Sequence, residues 1–468
     1  MTRVTVSSYS SLERRLGPYD AAAIIVSNVI GGGILFSPPQ VAANVPRPWL
    51  FLATWLAGGA LAFAGAMAYA ELAALRPRAG GEYVYLDAAF GRGVAFLTGW
   101  TSFVAGFSGA IATSAVVFAS YLGRFVPAAA SGVPLLVVPI PRLPLTVSRQ
   151  TLVVLTIIAL MCAIHVRGVG PGRIVGNVLA ALKVSALVVF IALGLSIGTG
   201  SAANLQISAG TVSLTSWLLA LVPVMFTYSG WNAASYVAEE IRDPGRNVPL
   251  ALALGTIAVV AIYFLLNVLY LYVFPVGSLA AVKGSVLDVI ADRLLGSRAG
   301  DVMGIVSIIS LAASISAMTI AGPRVYYAMA RDGVFLPSAA RVHPRYRTPA
   351  VSIVAQSVWS GVLVLSGGAS ALIRYTGFAV VLYSGIAVAA LFVLRSREAD
   401  APRPFKALGY PLAPGIFVLA SVLIVANAIY SDPRPSGAGV LIMLAGLPLY
   451  LVFARRAARQ PPNAAASW

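Results

Sequence analysis

Long apolar stretches recur along the chain and are separated by short polar segments. A helix needs roughly 20 apolar residues to cross a hydrocarbon layer of about 30 Å. We predict such a helix for each of twelve runs in the sequence: 19–43, 49–75, 93–121, 150–166, 173–197, 214–238, 249–275, 299–325, 349–367, 370–394, 410–429 and 437–454. The pattern therefore predicts an all-α integral membrane protein with twelve spans.

The polar segments indicate how the chain is oriented. An even number of spans places both termini on one side, and most of the 32 Lys and Arg then fall in cytoplasmic segments if the termini are cytoplasmic. We expect an inner (cell) membrane protein with cytoplasmic ends at 1–18 and 455–468. The longest loop, about 122–150, is rich in Pro and apolar residues, so no soluble domain is expected there. The N-terminus lacks a signal-peptide pattern, so the first run is expected to stay as a helix.

Composition agrees with a membrane protein and excludes several other classes. The chain is 59% hydrophobic and 10% charged, with a mean hydropathy of +0.88. Its net charge of +17 does not indicate nucleic-acid binding, because the Lys and Arg lie between apolar runs instead of forming one patch. One Cys and two His cannot form a disulfide or a Cys/His metal site within one chain. We expect no nucleic-acid partner, no metal and no cofactor.

Two of the twelve runs carry an interruption near their middle. The first contains Gly31-Gly32-Gly33, followed by Pro38-Pro39, and the sixth contains Tyr228-Ser229-Gly230-Trp231-Asn232. Each Gly costs a helix interior about 1 kcal/mol, so an unbroken first helix is improbable. We predict that spans one and six are discontinuous, with the first unwound around 31–33.

The positions of the two interruptions suggest an internal repeat. Spans one and six are the first helices of two five-helix units, 19–197 and 214–394, as expected for inverted repeats that each begin with a broken helix. The remaining spans, eleven and twelve at 410–454, would be additions to this core.

Unwound backbone at membrane depth implies a cavity, because its N–H and C=O groups need partners. At each break one half-helix presents free N–H groups with partial positive charge, and the other presents free C=O groups with partial negative charge. A zwitterion matches this pair: N–H groups of span one would bind a carboxylate, and carbonyls of span six an ammonium. The predicted substrate-binding residues are Ile30, Gly31, Gly32, Gly33, Ile34, Phe226, Thr227, Tyr228, Ser229 and Gly230. The alternative for the glycines is close helix–helix packing.

Lys183 is an ionisable residue deep in the fifth run. It lies ten residues after Arg173, roughly 15 Å into the membrane, beyond the reach of a lysine that snorkels to water. An ionisable group at this depth is a functional candidate. It could be a proton carrier or a fixed cation in place of a coupling sodium ion, and the alternative is a structural lysine capped by helix carbonyls.

A group of charged residues ends the sixth run. Glu239, Glu240, Arg242 and Asp243 follow the last apolar residues of that span. We expect a solvated cluster that ends the helix, with a cytoplasmic gate as the alternative.

Several segments together resemble the amino acid-polyamine-organocation superfamily, particularly its bacterial amino acid permeases and the L-type amino acid transporters. The resemblance runs along nearly the whole chain. The segments that carry it are 30–34 with Ser37-Pro38, Tyr69-Ala70-Glu71-Leu72, 79–86, 226–232 with Ala238-Glu239-Glu240, 322–333, and Arg403-Pro404-Phe405-Lys406.

The resemblance implies a leucine-transporter-type fold and amino acid symport or exchange. It implies that the substrate backbone binds at the two helix breaks and that Phe226 is a gating aromatic. It also places at Lys183 the lysine of sodium-independent members, with Ser314 as a neighbour. Two departures matter. Gly32 is a serine in many relatives, and the region 380–382 lacks an asparagine found in some relatives selective for large substrates.

The sequence thus predicts a secondary active transporter of small or medium neutral L-amino acids, independent of sodium, working by proton symport or exchange with alternating access. No lysine follows a glycine and no HExxH motif is present, so we expect no enzyme activity. A polyamine or agmatine exchanger is the first alternative, although the spans contain almost no acidic residue to bind a dication. A membrane scaffold or receptor is the second. The expected partners are the amino acid and membrane lipid, and an accessory subunit is left open.

Overall fold

The computed structural model describes residues 12–139, 145–367, 369–431 and 433–458, without the side chains of 297, 369–377 and 456–458. Most of the predicted cytoplasmic ends, 1–18 and 455–468, therefore lies outside the described residues.

Helices account for nearly all of the described chain. They are α1 (Pro18–Val29), α2 (Gly32–Asn44), α3 (Pro48–Leu75), α4 (Glu82–Phe90), α5 (Arg92–Thr101), α6 (Phe107–Leu122), α7 (Arg149–Val166), α8 (Val169–Ser196), α9 (Leu214–Tyr228), α10 (Ala233–Tyr236), α11 (Pro244–Val273), α12 (Val276–Ala280), α13 (Val286–Leu295), α14 (Ser297–Arg331), α15 (Ala350–Leu365), α16 (Ala369–Arg397), α17 (Leu412–Ser431), α18 (Pro433–Leu444) and α19 (Gly446–Ala458). A π-helical segment, Ser102–Gly106, joins α5 to α6, and short 3-10 turns occupy Pro127–Ala130, Ala202–Gln206, Ala238–Glu240 and Pro337–Ala340.

A small hairpin lies in the loop between α6 and α7. Its strands, β1 (Pro134–Val138) and β2 (Leu145–Ser148), pair antiparallel with Val138 opposite Leu145. All five residues of β1 are exposed, so this strand adds nothing to the helical core, while β2 is partly buried. The all-α prediction missed it because a short apolar strand resembles a fragment of helix in a hydrophobicity pattern.

Each predicted run is occupied by a helix or by a broken helix. Within the described ranges, nine helical stretches are long and apolar enough to cross a membrane, and α1 with α2 forms a tenth as one bent pair. The helices α9 and α15 are shorter apolar helices and lie in the sixth and ninth runs. The chain is thus a multi-pass membrane protein, while the count of twelve spans stays a prediction.

The broken first span lies at the centre of the fold. Its first half, α1, packs against α8, α11 and α14, and its second half, α2, packs against α9 and α12. Among the candidate spans, α14 is the most enclosed: 78% of its most apolar 18-residue stretch is buried. The corresponding share is 28% for α17 and 17% for Pro433–Arg455. The last two spans therefore lie at the periphery, and the breaks lie inside the helical bundle.

Candidate functional site

The first span changes direction by 49° between α1 and α2. Only Ile30 and Gly31 lie outside the two helices, and the N–H of Ile30 still donates to the carbonyl of Val26 at 3.0 Å. The unwound segment is thus shorter and begins earlier than the predicted segment 31–33. Gly32 and Gly33 form the first turn of α2, where N–H groups have no intrahelical acceptor.

The sixth span is interrupted between Tyr228 and Ala233. Gly230 has φ = +100°, which a residue with a side chain rarely adopts. A Cβ at this position would also lie 2.7 Å from the side-chain nitrogen of Asn28 in α1. The two breaks therefore lie next to each other. In the sixth span the chain can bend because Gly230 adopts this conformation.

The two half-helices meet most closely at Gly33 and Thr227. A Cβ built on Gly33 would lie 2.9 Å from the Cα of Thr227, closer than real Cβ contacts. A Cβ on the preceding Gly32 would meet nothing within 4 Å. Gly33 thus permits close approach of the two half-helices, as the packing alternative supposed, whereas Gly32 faces open space.

A cavity of about 200 Å³ lies between the two breaks. Seven of the predicted binding residues line it: Gly31, Gly32, Gly33, Phe226, Thr227, Ser229 and Gly230. The other polar residues of its wall are Asn28, Glu82, Thr98, Thr101, Ser102, Ser114, Asn232, Tyr236, Ser314, Tyr383 and Ser384. Over the part of the chain that the structure describes, no group of three or more His, Cys, Asp or Glu is placed to hold a metal ion.

Three predicted residues do not line the cavity. Ile30 and Ile34 are each 1% exposed and face a small apolar pocket that includes Leu187 and Leu266. Tyr228 is also buried, and its hydroxyl donates to the carbonyl of Trp55 at 3.1 Å. Their side chains lie in the protein core, because apolar and aromatic groups at the breaks pack inward. A role for their main-chain groups stays a prediction.

Around the cavity, the main-chain acceptors are more fully hydrogen-bonded than the main-chain donors. In the described chain, no main-chain carbonyl outside α1 and α2 accepts from the N–H groups of Gly31, Gly32 or Gly33. The carbonyl of Phe226, in contrast, accepts from both the N–H and the hydroxyl of Ser229, at 3.0 and 2.6 Å. Since a carbonyl has two lone pairs, that of Phe226 is filled.

The next carbonyl in the sixth span keeps some capacity. The carbonyl of Thr227 accepts from the Tyr263 hydroxyl at 3.2 Å, which leaves it one lone pair. The site therefore offers free donors at α2, while the acceptors at the end of α9 are already partly occupied. The side chain of Phe226 is 40% exposed and lies in the cavity wall.

Lys183 lies behind the first break and is completely buried. Its ammonium donates to the carbonyl of Ser27 at 3.1 Å and to that of Ile30. The hydroxyl of Ser314 donates to the same two carbonyls, at 2.8 and 3.3 Å, and that of Ser310 donates to Ile30 at 3.2 Å.

This arrangement places the Lys183 amine at the C-terminal end of α1, where the helix dipole is negative. Lys183 is not part of the cavity wall, but Ser314 is. The amine therefore contacts the end of the first half-helix and does not contact the space between the breaks.

Glu82 is a cavity residue that the sequence argument missed. It is the first residue of α4, and the Tyr69 hydroxyl donates to its Oε2 at 2.8 Å. Gly81 precedes it with φ = +54°, and a Cβ there would lie 2.5 Å from the Tyr236 ring. Its signal in the sequence is the Gly80-Gly81 pair before an acidic residue, but Glu82 lies between the predicted runs, outside the apolar spans.

The π-helical segment Ser102–Gly106 forms another unpredicted part of the wall. The wider turn shifts carbonyls out of register, and side chains from other helices satisfy two of them. Trp359 donates to Val104 at 2.9 Å, and Tyr326 donates to Ser102 at 3.2 Å. Such segments are frequent at functional sites, and no hydrophobicity pattern reveals them.

The charged residues after the sixth span are partly enclosed. Glu240 is fully buried and accepts from Arg324 of α14 at 2.7 and 2.9 Å, and Glu239 pairs with Arg331 at 3.0 Å. The expectation of a solvated cluster is therefore wrong for Glu240, because α14 supplies a buried arginine. These pairs fasten the end of the broken sixth span to α14.

Two segments that carry the resemblance meet at a second ionic cluster. Glu71 of α3 is buried, and its carboxylate contacts Arg395 at 2.6 Å and Arg403 at 3.1 Å. It also accepts from the main-chain N–H of Ala407 at 2.6 Å. The segment around Arg403-Pro404-Phe405-Lys406 is thus attached to the Tyr69-Ala70-Glu71-Leu72 segment.

Comparison with known proteins supplies the family. Residues 16–454 match the amino acid permease family. The b(0,+)-type amino acid transporter 1 of Mus musculus is 31% identical over 97% of this chain and 90% of its own. The human cystine/glutamate transporter is 29% identical over 94% and 85%, and the human large neutral amino acids transporter small subunit 2 is 29% identical over 94% and 81%. The chain therefore belongs to the amino acid permease family, and the similar proteins are amino acid transporters.

Proposed function

We propose that the chain is a secondary active transporter that binds small or medium neutral L-amino acids in the cavity between its two helix breaks. In this proposal all twelve runs cross the cell membrane, both termini are cytoplasmic, and two inverted five-helix repeats alternate the access of the site. The observation that carries the proposal is the convergence of the start of α2 and the end of α9 on one cavity.

The cavity matches the two charges of an amino acid. The N–H groups of Gly31, Gly32 and Gly33 start a helix and suit a carboxylate. The substrate ammonium would donate to the remaining lone pair of the Thr227 carbonyl and to the carbonyls that follow it. The Phe226 carbonyl is not available, because Ser229 already occupies both of its lone pairs. Phe226 would then cover the bound substrate with its partly exposed ring.

Sodium independence is proposed from the surroundings of Lys183. Its ammonium lies among two carbonyls and two serine hydroxyls that would otherwise be ligands suited to a hard cation. A covalently attached cation there makes a bound sodium ion unnecessary for holding the end of α1. The cycle would therefore run by proton symport or by exchange of amino acids.

One observation favours a second candidate. Glu82 places a carboxylate in the cavity wall, so an exchanger of cationic substrates, of the polyamine or agmatine type, has a possible counter-charge. The names of the relatives cover b(0,+)-type, cystine/glutamate and large neutral amino acid transport and do not decide between these classes. A membrane scaffold or receptor, without transport, is the alternative outside this class.

A reconstitution experiment tests the proposal. Purified protein in liposomes loaded with unlabelled alanine or leucine is expected to take up the radiolabelled amino acid in a saturable manner. A thermal-shift screen against the twenty amino acids and agmatine identifies the substrate, because a ligand at 100 times its Kd stabilises the fold by about 2.7 kcal/mol. Binding without uptake favours a receptor, and a shift with agmatine alone favours the second candidate. Uptake by this chain alone would show that no accessory subunit is required.

A further inference from the structure

Glu82 differs from the other carboxylates described above in the partners it has. Glu71 contacts two arginines, Glu240 contacts Arg324, and Glu239 contacts Arg331. Among the described side chains, no lysine, arginine or histidine pairs with Glu82. Its polar partners are the hydroxyls of Tyr69 and Tyr236.

We propose that Glu82 is a proton-binding site of the transport cycle, which takes up a proton when the cavity closes and releases it when the cavity opens to water. The inference rests on the proposed transport function and names one group responsible for its proton dependence. The proton comes from bulk water on one side and returns to bulk water on the other, so the step needs no further reactant.

The physical reason is the change in solvation of the carboxylate. In the open cavity, water can stabilise the charged form. When the cavity closes around a neutral amino acid, a charged Glu82 would have only hydroxyl donors and no cation, and a buried carboxylate then binds a proton. Burial already raises the pKa of Glu82 to about 7, although the hydroxyls of Tyr69 and Tyr236 lower it. Both protonation states are therefore accessible near neutral pH.

The surroundings supply no competing titration near pH 7. The facing groups are tyrosines: Tyr69 from α3, Tyr236 from α10, Tyr85 from α4 itself and Tyr383 from α16. Asn232 donates to the hydroxyl of Tyr236 at 3.0 Å, which leaves the proton of that hydroxyl for Glu82. Tyrosine ordinarily titrates near 10, so Glu82 is the group here that changes charge near neutrality.

The loop that precedes Glu82 is attached to the broken sixth span. The N–H of Gly80 donates to the carbonyl of Tyr236 at 3.1 Å, and the N–H of Ala79 donates to the carboxylate of Glu239 at 3.1 Å. A movement of the inner end of span six therefore moves the start of α4 and changes the hydration of Glu82. This connection couples the protonation of Glu82 to the alternation of access.

The test measures amino acid uptake and substrate-driven proton entry in the same liposomes, with a pH-sensitive dye inside. For the unmodified protein, uptake is expected to fall as the external pH rises through about 7, because Glu82 loses its proton. Glu82→Gln mimics the protonated form, so uptake should no longer vary between pH 6 and 8 and proton entry should be lost. The control Asp400→Asn removes an exposed carboxylate in the loop that follows α16. It should change neither the pH dependence of uptake nor proton entry.

A second variant is expected to move the pH profile of uptake without abolishing it. Tyr69→Phe removes a hydroxyl that stabilises charged Glu82, so the midpoint of the pH profile should move upward. If Glu82→Gln does not fold, this shift decides, and an unchanged midpoint overturns the proposal.

The remaining outcomes also discriminate. A Glu82→Gln protein with the original pH profile and proton entry overturns the proposal, as does an unmodified protein that transports without proton entry. Loss of cationic-substrate uptake alone, with the pH profile of neutral uptake intact, would assign Glu82 to substrate binding instead. Absence of any uptake by the unmodified protein refutes the transport function itself, which distinguishes the two failures.

Discussion

Substitution of Gly33 by alanine is expected to weaken substrate binding strongly, while the same substitution at Gly32 is expected to be tolerated. The new Cβ at position 33 would lie 2.9 Å from the Cα of Thr227 and 3.1 Å from both atoms at the end of its side chain. Carbon atoms in favourable contact are about 3.5–4.0 Å apart, so α2 and α9 must separate by roughly half an ångström. The obstacle is main chain, which cannot rotate away.

The magnitude follows from the cost of overpacking. One extra methyl group in a well-packed region costs about 1–3 kcal/mol. If this strain is relieved by separating the two half-helices that form the cavity, the Kd for the substrate rises by roughly 5-fold to 150-fold. Gly32→Ala is a matched control, because its Cβ meets nothing within 4 Å and its change in helix propensity is the same.

The assay is equilibrium binding of the radiolabelled amino acid to purified protein, with the thermal midpoint of each variant measured in parallel. Gly33→Ala should lose affinity in a fold that still melts cooperatively, and Gly32→Ala should bind within about threefold of the original protein, a difference of about 0.6 kcal/mol. Equal affinities for the two variants would refute the claim that close contact between α2 and α9 shapes the site.

Three further predictions follow from the buried cations. Lys183→Ala removes a charge-assisted bond worth about 1.5–3 kcal/mol, so uptake should fall roughly 10-fold to 150-fold or lose its coupling. Ser310→Ala removes one neutral donor to the same carbonyl end, so it should reduce uptake far less, and equal reductions by the two variants would contradict this prediction. Uptake should persist when choline replaces sodium, and strict sodium dependence would remove Lys183 from the role of fixed cation. Arg324→Met leaves Glu240 buried and unpaired, so a loss of about 3–5 kcal/mol is expected in unfolding, and an unchanged midpoint would contradict it.

The pattern of apolar residues was enough to predict a helix or broken helix in each run. The reason is local, because a segment in lipid must satisfy its own main-chain hydrogen bonds and must be apolar over its length. The glycines of span one and Gly230 of span six also predicted the two breaks, since no other residue type tolerates those conformations or contacts as easily. The hairpin between α6 and α7 was missed because its five-residue strand has no distinctive period.

Only the tertiary structure decided which groups share the cavity and which have partners. Glu82 enters it from the start of α4, which is distant in sequence from both breaks, because Gly81 lies against the Tyr236 ring. Likewise, Glu240 is buried because Arg324 approaches from α14, and the carbonyl of Phe226 is filled by Ser229. Residue type and spacing determine what each helix can do by itself. Which donor meets which acceptor depends on how the helices pack, and that is a property of the whole chain.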